Sequence, residues 1–189
     1  MADWDRRFAV AISLELSTGT WSVGSGYAIA PRLVLTARHV VVHANAKPGA
    51  IPRVHLVNLG GNEHEARVRW PPGDADPKTT PDLALLEIDE VIDERLSPWS
   101  ILASDPLTDS GAWKAEGFPR AAASSATPLK PASFEGRVQP PNGPRVALEL
   151  DTVVAPADPA GWRGMSGAAV FVGPTIVGVI GEIADDAIS

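Results

Sequence analysis

Short apolar runs separated by glycine and proline recur along the whole chain. Runs rich in Val, Ile and Leu and bounded by turn residues are typical of β-strands in a barrel or sandwich rather than of helices. In the first half, this pattern predicts six strands, at residues 8–16, 24–30, 33–36, 53–59, 65–71 and 83–88. A single helix of one or two turns is predicted between the third and fourth strands, at residues 37–44.

The second half repeats the strand pattern after an interruption. Between residues 89 and 111 the periodicity is lost and acidic residues and prolines accumulate, which indicates a connection between two halves. Five more strands are predicted, at residues 112–118, 134–139, 146–151, 167–172 and 175–182. We therefore expect an all-β chain of two domains, 1–100 and 101–189, in which the second has one strand fewer.

Composition narrows the class of protein. At 189 residues the chain can hold one full core or two small packed barrels. Hydrophobic residues make up 44% and charged residues 21%, which argues against both a disordered and a membrane protein. The net charge of -7 and the lack of a basic cluster argue against a nucleic-acid partner.

The compartment follows from what the sequence lacks. No apolar run reaches the length of a membrane span, and the apolar stretch after the N-terminus is too short for the core of a signal peptide. There are no cysteines, which excludes disulfides and is compatible with a reducing compartment. We expect a cytoplasmic protein with no membrane partner.

Ser166 is the strongest candidate for chemistry, because it sits in a glycine-rich stretch just before a β-branched run. Glycines at 164 and 167 allow a tight turn beside the serine and a close approach of substrate to the main chain. If the amides of Gly164 and Ser166 face one pocket, they can hold the anionic oxygen of a tetrahedral acyl-transfer intermediate, with Ser166 as the nucleophile. The alternative is a glycine-rich turn between two strands, a motif that occurs often by chance.

A serine nucleophile needs a base and a group that orients the base. His39 follows an apolar strand and can exchange a proton near neutral pH. His43, one helical turn later, raises a metal-binding alternative, but the pair lacks the glutamate of the zinc-protease motif, and we expect no metal site. Asp82 opens a buried strand and can hold one imidazole tautomer, whereas three nearby acids have the pattern of surface residues: Asp74, Asp76 and Asp89.

These three residues, in the order His39, Asp82, Ser166, resemble the trypsin/chymotrypsin-like serine protease family. The chymotrypsin-type order differs from those of the α/β-hydrolases and subtilisins. Further segments extend the resemblance over most of the chain: Gly24-Ser-Gly-Tyr-Ala-Ile-Ala, Leu35-Thr-Ala-Arg-His-Val, Asp82-Leu-Ala-Leu-Leu, Gly117-Phe-Pro, Gly164-Met-Ser-Gly-Ala and Ile176-Val-Gly-Val-Ile-Gly. The resemblance implies two antiparallel Greek-key β-barrels with the active site in the cleft between them.

The resemblance also implies the roles of the residues. Ser166 would attack the scissile carbonyl of a polypeptide substrate, His39 would move the proton, and Asp82 would orient His39. The amides of Gly164 and Ser166 would form the oxyanion hole, and no metal or other cofactor would be needed.

Two departures from the family refine this expectation. Met165 replaces the aspartate that pairs with a new N-terminus in digestive zymogens, so we expect no such activation switch, and the chain resembles the intracellular bacterial branch. In that branch, packing or a partner sets the oxyanion loop. Ala160 stands where trypsin-like members place the acid that selects Lys or Arg. The predicted substrate pocket therefore suits a small or medium apolar side chain, and its residues are Ala160, Gly161, Trp162 and Gly181.

The sequence ends soon after the strand on which the resemblance places the substrate. The family places a last strand and a C-terminal helix after the substrate-pairing strand, so we expect residues 1–189 to be one module with a fused or associated regulatory domain.

The alternative function is a catalytically silent, protease-like module that binds a peptide or partner protein in the groove between the barrels as an added strand. A purely structural protein is the third interpretation.

Overall fold

The first half of the chain closes into a six-stranded antiparallel barrel in a computed structural model. The structure describes residues 5–73, 75–76, 79–96, 102–103, 111–120, 129–139, 149–152 and 159–181. The barrel strands are β1 (Ala9–Glu15), β2 (Trp21–Ala30), β3 (Leu33–Thr36), β4 (Arg53–His55), β5 (Glu63–Trp70) and β6 (Ala84–Ile88). Their order around the barrel is β1-β2-β3-β6-β5-β4, and β4 pairs with β1 to close it.

The second half contributes a five-stranded antiparallel sheet within the described residues. Its strands are β7 (Gly111–Gly117), β8 (Ala132–Gln139), β9 (Glu149–Thr152), β10 (Ala169–Val172) and β11 (Thr175–Val179). They lie in the order β11-β10-β7-β8-β9. The all-β prediction is confirmed. The division of the chain at residue 100 stays a prediction, because residues 97–101 lie outside the described ranges.

The predicted strands differ from the observed ones mainly at their ends. Residues 57–59 form a 3₁₀ helix rather than the end of a strand, because the chain turns back through Gly60 and Gly61, both at positive φ. The strand predicted from residue 167 begins at Ala169, because Gly167 also takes positive φ. The predicted helix is the single turn α1 (Arg38–Val41). The predicted strand residues 146–148 and 182 lie outside the described part of the chain.

The two halves pack against each other through apolar side chains. The alternation along β6 buries Ala84, Leu86 and Ile88 in the barrel core, as expected for a strand with one face inward. Phe171 of β10 joins the same core and meets the ring of Tyr27 edge-on, with centroids 5.0 Å apart. This shared core fixes the second sheet against the barrel. Within the ranges described, no helix has the length and hydropathy that a membrane span requires.

A polar cluster on the barrel carries a partly buried histidine. The Nε2 of His55 lies 2.8 Å from the hydroxyl of Ser13, and its Nδ1 lies 3.4 Å from a carboxylate oxygen of Glu63. Burial lowers the pKa of His55 below its ordinary value, the Glu63 carboxylate acts in the opposite direction, and Arg53 adds to the lowering. The folded barrel therefore favours the neutral ring.

This lowered pKa predicts a loss of stability in mild acid. The unfolded chain takes up a proton on His55 near pH 6.5, whereas the folded chain resists it, so the free energy of unfolding should fall as pH drops from about 6.5 through the folded pKa. His55→Gln should show a shallower fall over that interval in urea titrations. An unchanged slope in the variant would contradict this assignment.

Candidate active site

His39 and Asp82 meet because their strands are neighbours. His39 lies in α1, directly after β3, and Asp82 lies two residues before β6, which pairs with β3. The His39 Nδ1 is 2.7 Å from Asp82 Oδ2, and the His39 backbone N–H donates to Asp82 Oδ1 at 3.0 Å. Both carboxylate oxygens therefore hold the same residue, which fixes the position of the imidazole.

The charge of Asp82 determines the tautomer of His39. Partial burial raises the pKa of Asp82, but the hydrogen bonds from the His39 ring and amide, together with charge attraction, outweigh it and place the pKa below its usual value. Asp82 is thus ionised at neutral pH and can only accept. The proton of a neutral His39 ring must lie on Nδ1, so Nε2 carries the lone pair that can take a proton.

Two glycines shape the loop that carries Ser166. Gly164 has φ +99° and Gly167 has φ +87°, a backbone conformation that residues with a Cβ rarely adopt. Added Cβ atoms would also collide with the carbonyl oxygen of Phe118 at Gly164 and with the carbonyl oxygen of Ser25 at Gly167. The loop can therefore turn here and lie against both halves only because these positions are glycine.

Two amides of this loop have no hydrogen-bond acceptor among the residues that the structure describes. The carbonyl of Arg163 accepts from the amide of Arg120 at 2.7 Å, and since the C=O and N–H of a trans peptide point in opposite directions, the Gly164 N–H points away from Arg120. Within the described chain, neither the Gly164 N–H nor the Ser166 N–H donates a hydrogen bond. Two such amides in one turn can bind a single anionic oxygen.

Contacts with the barrel bring the Ser166 loop beside His39. A Cβ at Gly24 of β2 would lie 2.6 Å from the side chain of Val40, the residue after His39, and 3.1 Å from the carbonyl oxygen of Ser166. A Cβ at Gly167 would lie 2.9 Å from the backbone nitrogen of Ala37, just before α1. The structure therefore gathers the three predicted catalytic residues at the junction of the two halves.

The predicted pocket residues occupy two places. Ala160, Gly161 and Trp162 belong to a 3₁₀ helix, Pro159–Trp162, that leads directly into the Ser166 loop. The ring of Trp162 packs on Phe134 of β8, with centroids 4.6 Å apart, so much of its surface supports the second sheet. Gly181 follows Ile180, whose carbonyl accepts from the Gly167 amide at 2.7 Å, and an added Cβ at Gly181 would be 3.8 Å from Asp82 Oδ2.

The remaining candidates have structural partners. His43 accepts a hydrogen bond from the Asn45 amide at 3.1 Å, in the turn after α1. Arg38 donates to the carbonyl of Ala75 at 2.7 Å. Asp89 pairs with Arg67 on the barrel surface, as expected for a solvated acid. Asp74 lies outside the described residues.

Met165 anchors the Ser166 loop in the core of the second half. Its side chain is fully buried in the second core, packed with residues of the second half: Trp113, Ala115, Val138, Ala168 and Val170. Its sulfur lies 2.7 Å from where a Cβ at Gly117 would be. Apolar packing therefore anchors the loop at the position that holds the activation aspartate in zymogens.

Sequence reasoning missed Ser25, which contacts the loop on both sides of Met165. The sequence offered one signal, a serine between two glycines in an otherwise apolar strand, and we assigned it no role. In the structure it is fully buried at the boundary between the barrel and the loop.

Comparison with known proteins adds a family and a fold. Residues 24–178 match the sequence model of a family described as "trypsin-like peptidase domain". No curated protein sequence matches the chain.

Three solved structures illustrate the fold that the chain shares. The active form of the Rv3671c protease from M. tuberculosis is 18% identical, with TM-score 0.62 over 95% of this chain and 72% of that one. The serine endoprotease from Yersinia pestis is 20% identical, with TM-score 0.60 over 92% and 53%. A Glu endopeptidase is 17% identical, with TM-score 0.66 over 97% and 82%. At these identities the likeness concerns the fold alone, and the predicted chymotrypsin-like fold class is confirmed.

Alanine substitutions at Gly167 and Gly173 should lower the free energy of unfolding by different amounts. Gly173 also has positive φ, +60°, but nothing lies within 4 Å of an added Cβ. Gly173→Ala should therefore cost only the backbone strain, about 1 to 2 kcal/mol. Gly167→Ala adds a collision with backbone and should cost roughly 4 kcal/mol or more. Equal losses in urea unfolding would show that the Gly167 contact is not tight.

Proposed function

Since the chain belongs to the family of trypsin-like peptidase domains, we propose that it is a serine endopeptidase that works through a Ser166-His39-Asp82 triad and an acyl-enzyme intermediate. The predicted enzyme class, a trypsin-like serine protease, is confirmed by the family. The observation that carries the proposed mechanism is that both Asp82 oxygens accept hydrogen bonds from His39, next to a serine loop whose Gly164 and Ser166 amides have no acceptor among the described residues.

Acylation begins with the hydroxyl of Ser166. The His39 Nε2 takes its proton as the oxygen attacks the scissile carbonyl carbon, and the carbonyl oxygen becomes an anion. The Gly164 and Ser166 amides donate to that oxygen, which stabilises the tetrahedral intermediate. Asp82 stays ionised and stabilises the imidazolium, and its lowered pKa supports this role.

Collapse of the intermediate releases the amine and leaves an ester on Ser166. The protonated His39 gives its proton to the leaving nitrogen, which departs as a neutral amine. Water then attacks the ester, with His39 again accepting a proton, and the second intermediate breaks down to a carboxylic acid and free Ser166. One peptide bond is hydrolysed per cycle, and the protein returns to its starting state.

The substrate is a polypeptide, and its preferred side chain is a proposal from the pocket residues. Ala160 and Gly161 carry no charge that would select Lys or Arg, so a small or medium apolar side chain suits the site before the cut. The cytoplasmic location, the bacterial origin and the fused or associated regulatory domain stay predictions.

The second candidate function is a silent module that binds a peptide in the groove between the halves. The binding module is favoured if the Gly164 and Ser166 amides do not face a common oxygen. A fluorophosphonate probe separates the two functions. Stoichiometric labelling of Ser166 supports the enzyme, and peptide binding without labelling supports the module.

The purified chain should cut a broad peptide library. Mass spectrometry of the products should show cuts after small or medium apolar residues, because none of the four predicted pocket residues is an acid that would attract Lys or Arg. Ser166→Ala should abolish the cuts and leave the fold nearly unchanged, since one small, partly exposed hydroxyl is removed. Cuts that persist in this variant would exclude Ser166 as the nucleophile.

Asp82→Asn should lower kcat about 10,000-fold at neutral pH with little change in KM, because an amide neither fixes the productive tautomer nor stabilises the imidazolium. Asp89→Asn is the matched control, since Asp89 lies just after the other end of the same strand and pairs with surface Arg67. A similar kcat in both variants would remove Asp82 from the mechanism.

A further inference from the structure

Ser25 connects the barrel to the loop of the nucleophile. It lies in β2, between Gly24 and Gly26, and is fully buried where the two halves meet. A buried serine hydroxyl is stable there only if its donor and acceptor capacity are used. Its partners therefore show what the residue does.

Each polar group of Ser25 has a partner, and three of the four bonds cross to the second half. The Ser25 hydroxyl donates to the Gly164 carbonyl at 2.6 Å and accepts from the Phe118 amide at 2.9 Å. The Ser25 amide donates to the Ser166 carbonyl at 2.7 Å. Within the barrel, the Ser25 carbonyl accepts from the Thr36 hydroxyl at 2.6 Å.

The two bonds to the loop lie on either side of the Ser166 amide. The carbonyls of Gly164 and Ser166 lie on either side of Met165 and the Ser166 amide. Ser25 therefore fixes the backbone on both sides of the Met165–Ser166 peptide. The Met165 carbonyl of that peptide accepts from the Ala168 amide, and the Met165 amide donates to Trp162, both at 2.9 Å. The Ser166 N–H points opposite the Met165 carbonyl, so its direction depends directly on the Ala168 bond and, through the flanking carbonyls, on Ser25.

Space around Ser25 leaves little room for adjustment. A Cβ at Gly117 would lie 2.6 Å from the Ser25 hydroxyl oxygen, so the strand end at Gly117 and Phe118 closes over it. The hydroxyl also joins that strand end to the loop, since it bonds Phe118 and Gly164 at once. A shift of either segment would be felt by the other.

We propose that Ser25 is a positioning residue for catalysis, whose hydroxyl and amide hold the Gly164–Ser166 turn so that the Gly164 and Ser166 amides face the anionic oxygen. This inference rests on the proposed function, because it assigns Ser25 to the oxyanion hole of that same site. Ser25 acts through the loop and does not touch the reacting atoms.

The test compares Ser25→Ala with Ser13→Ala. Ser13 is also a buried serine, on the neighbouring strand β1, and its hydroxyl makes one 2.8 Å hydrogen bond, to His55, away from the site. Each variant thus loses a buried hydroxyl, but only Ser25 contacts the loop. Steady-state cleavage of the best library peptide gives kcat and KM, and a phosphonate titration counts competent molecules.

Ser25→Ala should lower kcat per competent molecule roughly 10- to 100-fold with KM nearly unchanged, less than the 100- to 1,000-fold loss from removing an oxyanion donor outright. The affinity for a peptide boronic acid, whose tetrahedral adduct uses the hole, should fall by a similar factor. Binding of uncleaved peptide, measured with Ser166→Ala added, should not change. Ser13→Ala should keep kcat and boronic acid affinity even if its melting temperature falls.

Several outcomes overturn the proposal. A kcat equal to that of Ser13→Ala would show that the loop does not need the Ser25 hydroxyl, and equal losses in kcat, boronic acid affinity and peptide binding would indicate a general structural role.

If Ser25→Ala does not fold, Ser25→Cys keeps the size and a weak donor and should have intermediate kcat. Failure of both to fold would assign Ser25 to stability alone. An unlabelled, inactive wild-type chain would instead refute the proposed function.

Discussion

The close approach of the Ser166 loop to strand β2 is the contact on which the site depends. It requires left-handed backbone at Gly167, where an added Cβ would collide with the Ser25 carbonyl oxygen of β2. Gly164 has the same type of backbone and lies equally close to Phe118 of the second half. Buried hydrogen bonds from Ser25 then join the two surfaces at 2.6 and 2.7 Å. Because the loop and the barrel share these bonds, the proposed nucleophile, Ser166, is positioned by the half of the protein that also carries the proposed base, His39.

The two halves of the chain contribute different residues to the candidate site. The barrel places His39 and Asp82 together through the pairing of β3 with β6, and the second sheet holds Met165 in its core. Apolar packing under the loop and hydrogen bonding above it restrain the same few peptides from opposite sides. Such restraint matters in acyl transfer, because donors that are already oriented stabilise the anion without reorganising during the reaction.

Much of this arrangement could be predicted from the sequence, but its supports could not. The strands followed from short apolar runs bounded by glycine and proline, and His39, Asp82 and Ser166 stood out because each lies at one end of such a run. Strand ends were misjudged where glycines turn the chain, as at Gly60 and Gly167. Ser25 was overlooked because its bond to Gly164 spans 139 residues, and no local pattern reports a contact of that separation.

The most direct measurement of the central claim is a crystal structure of the chain after reaction with a peptide phosphonate. We predict a phosphorus bonded to the Ser166 Oγ, with its anionic oxygen accepting hydrogen bonds from both the Gly164 and Ser166 amides. The Gly164 carbonyl should still accept from the Ser25 hydroxyl. An adduct whose oxygen meets neither amide, or a Gly164 peptide turned away from Ser25, would contradict the account.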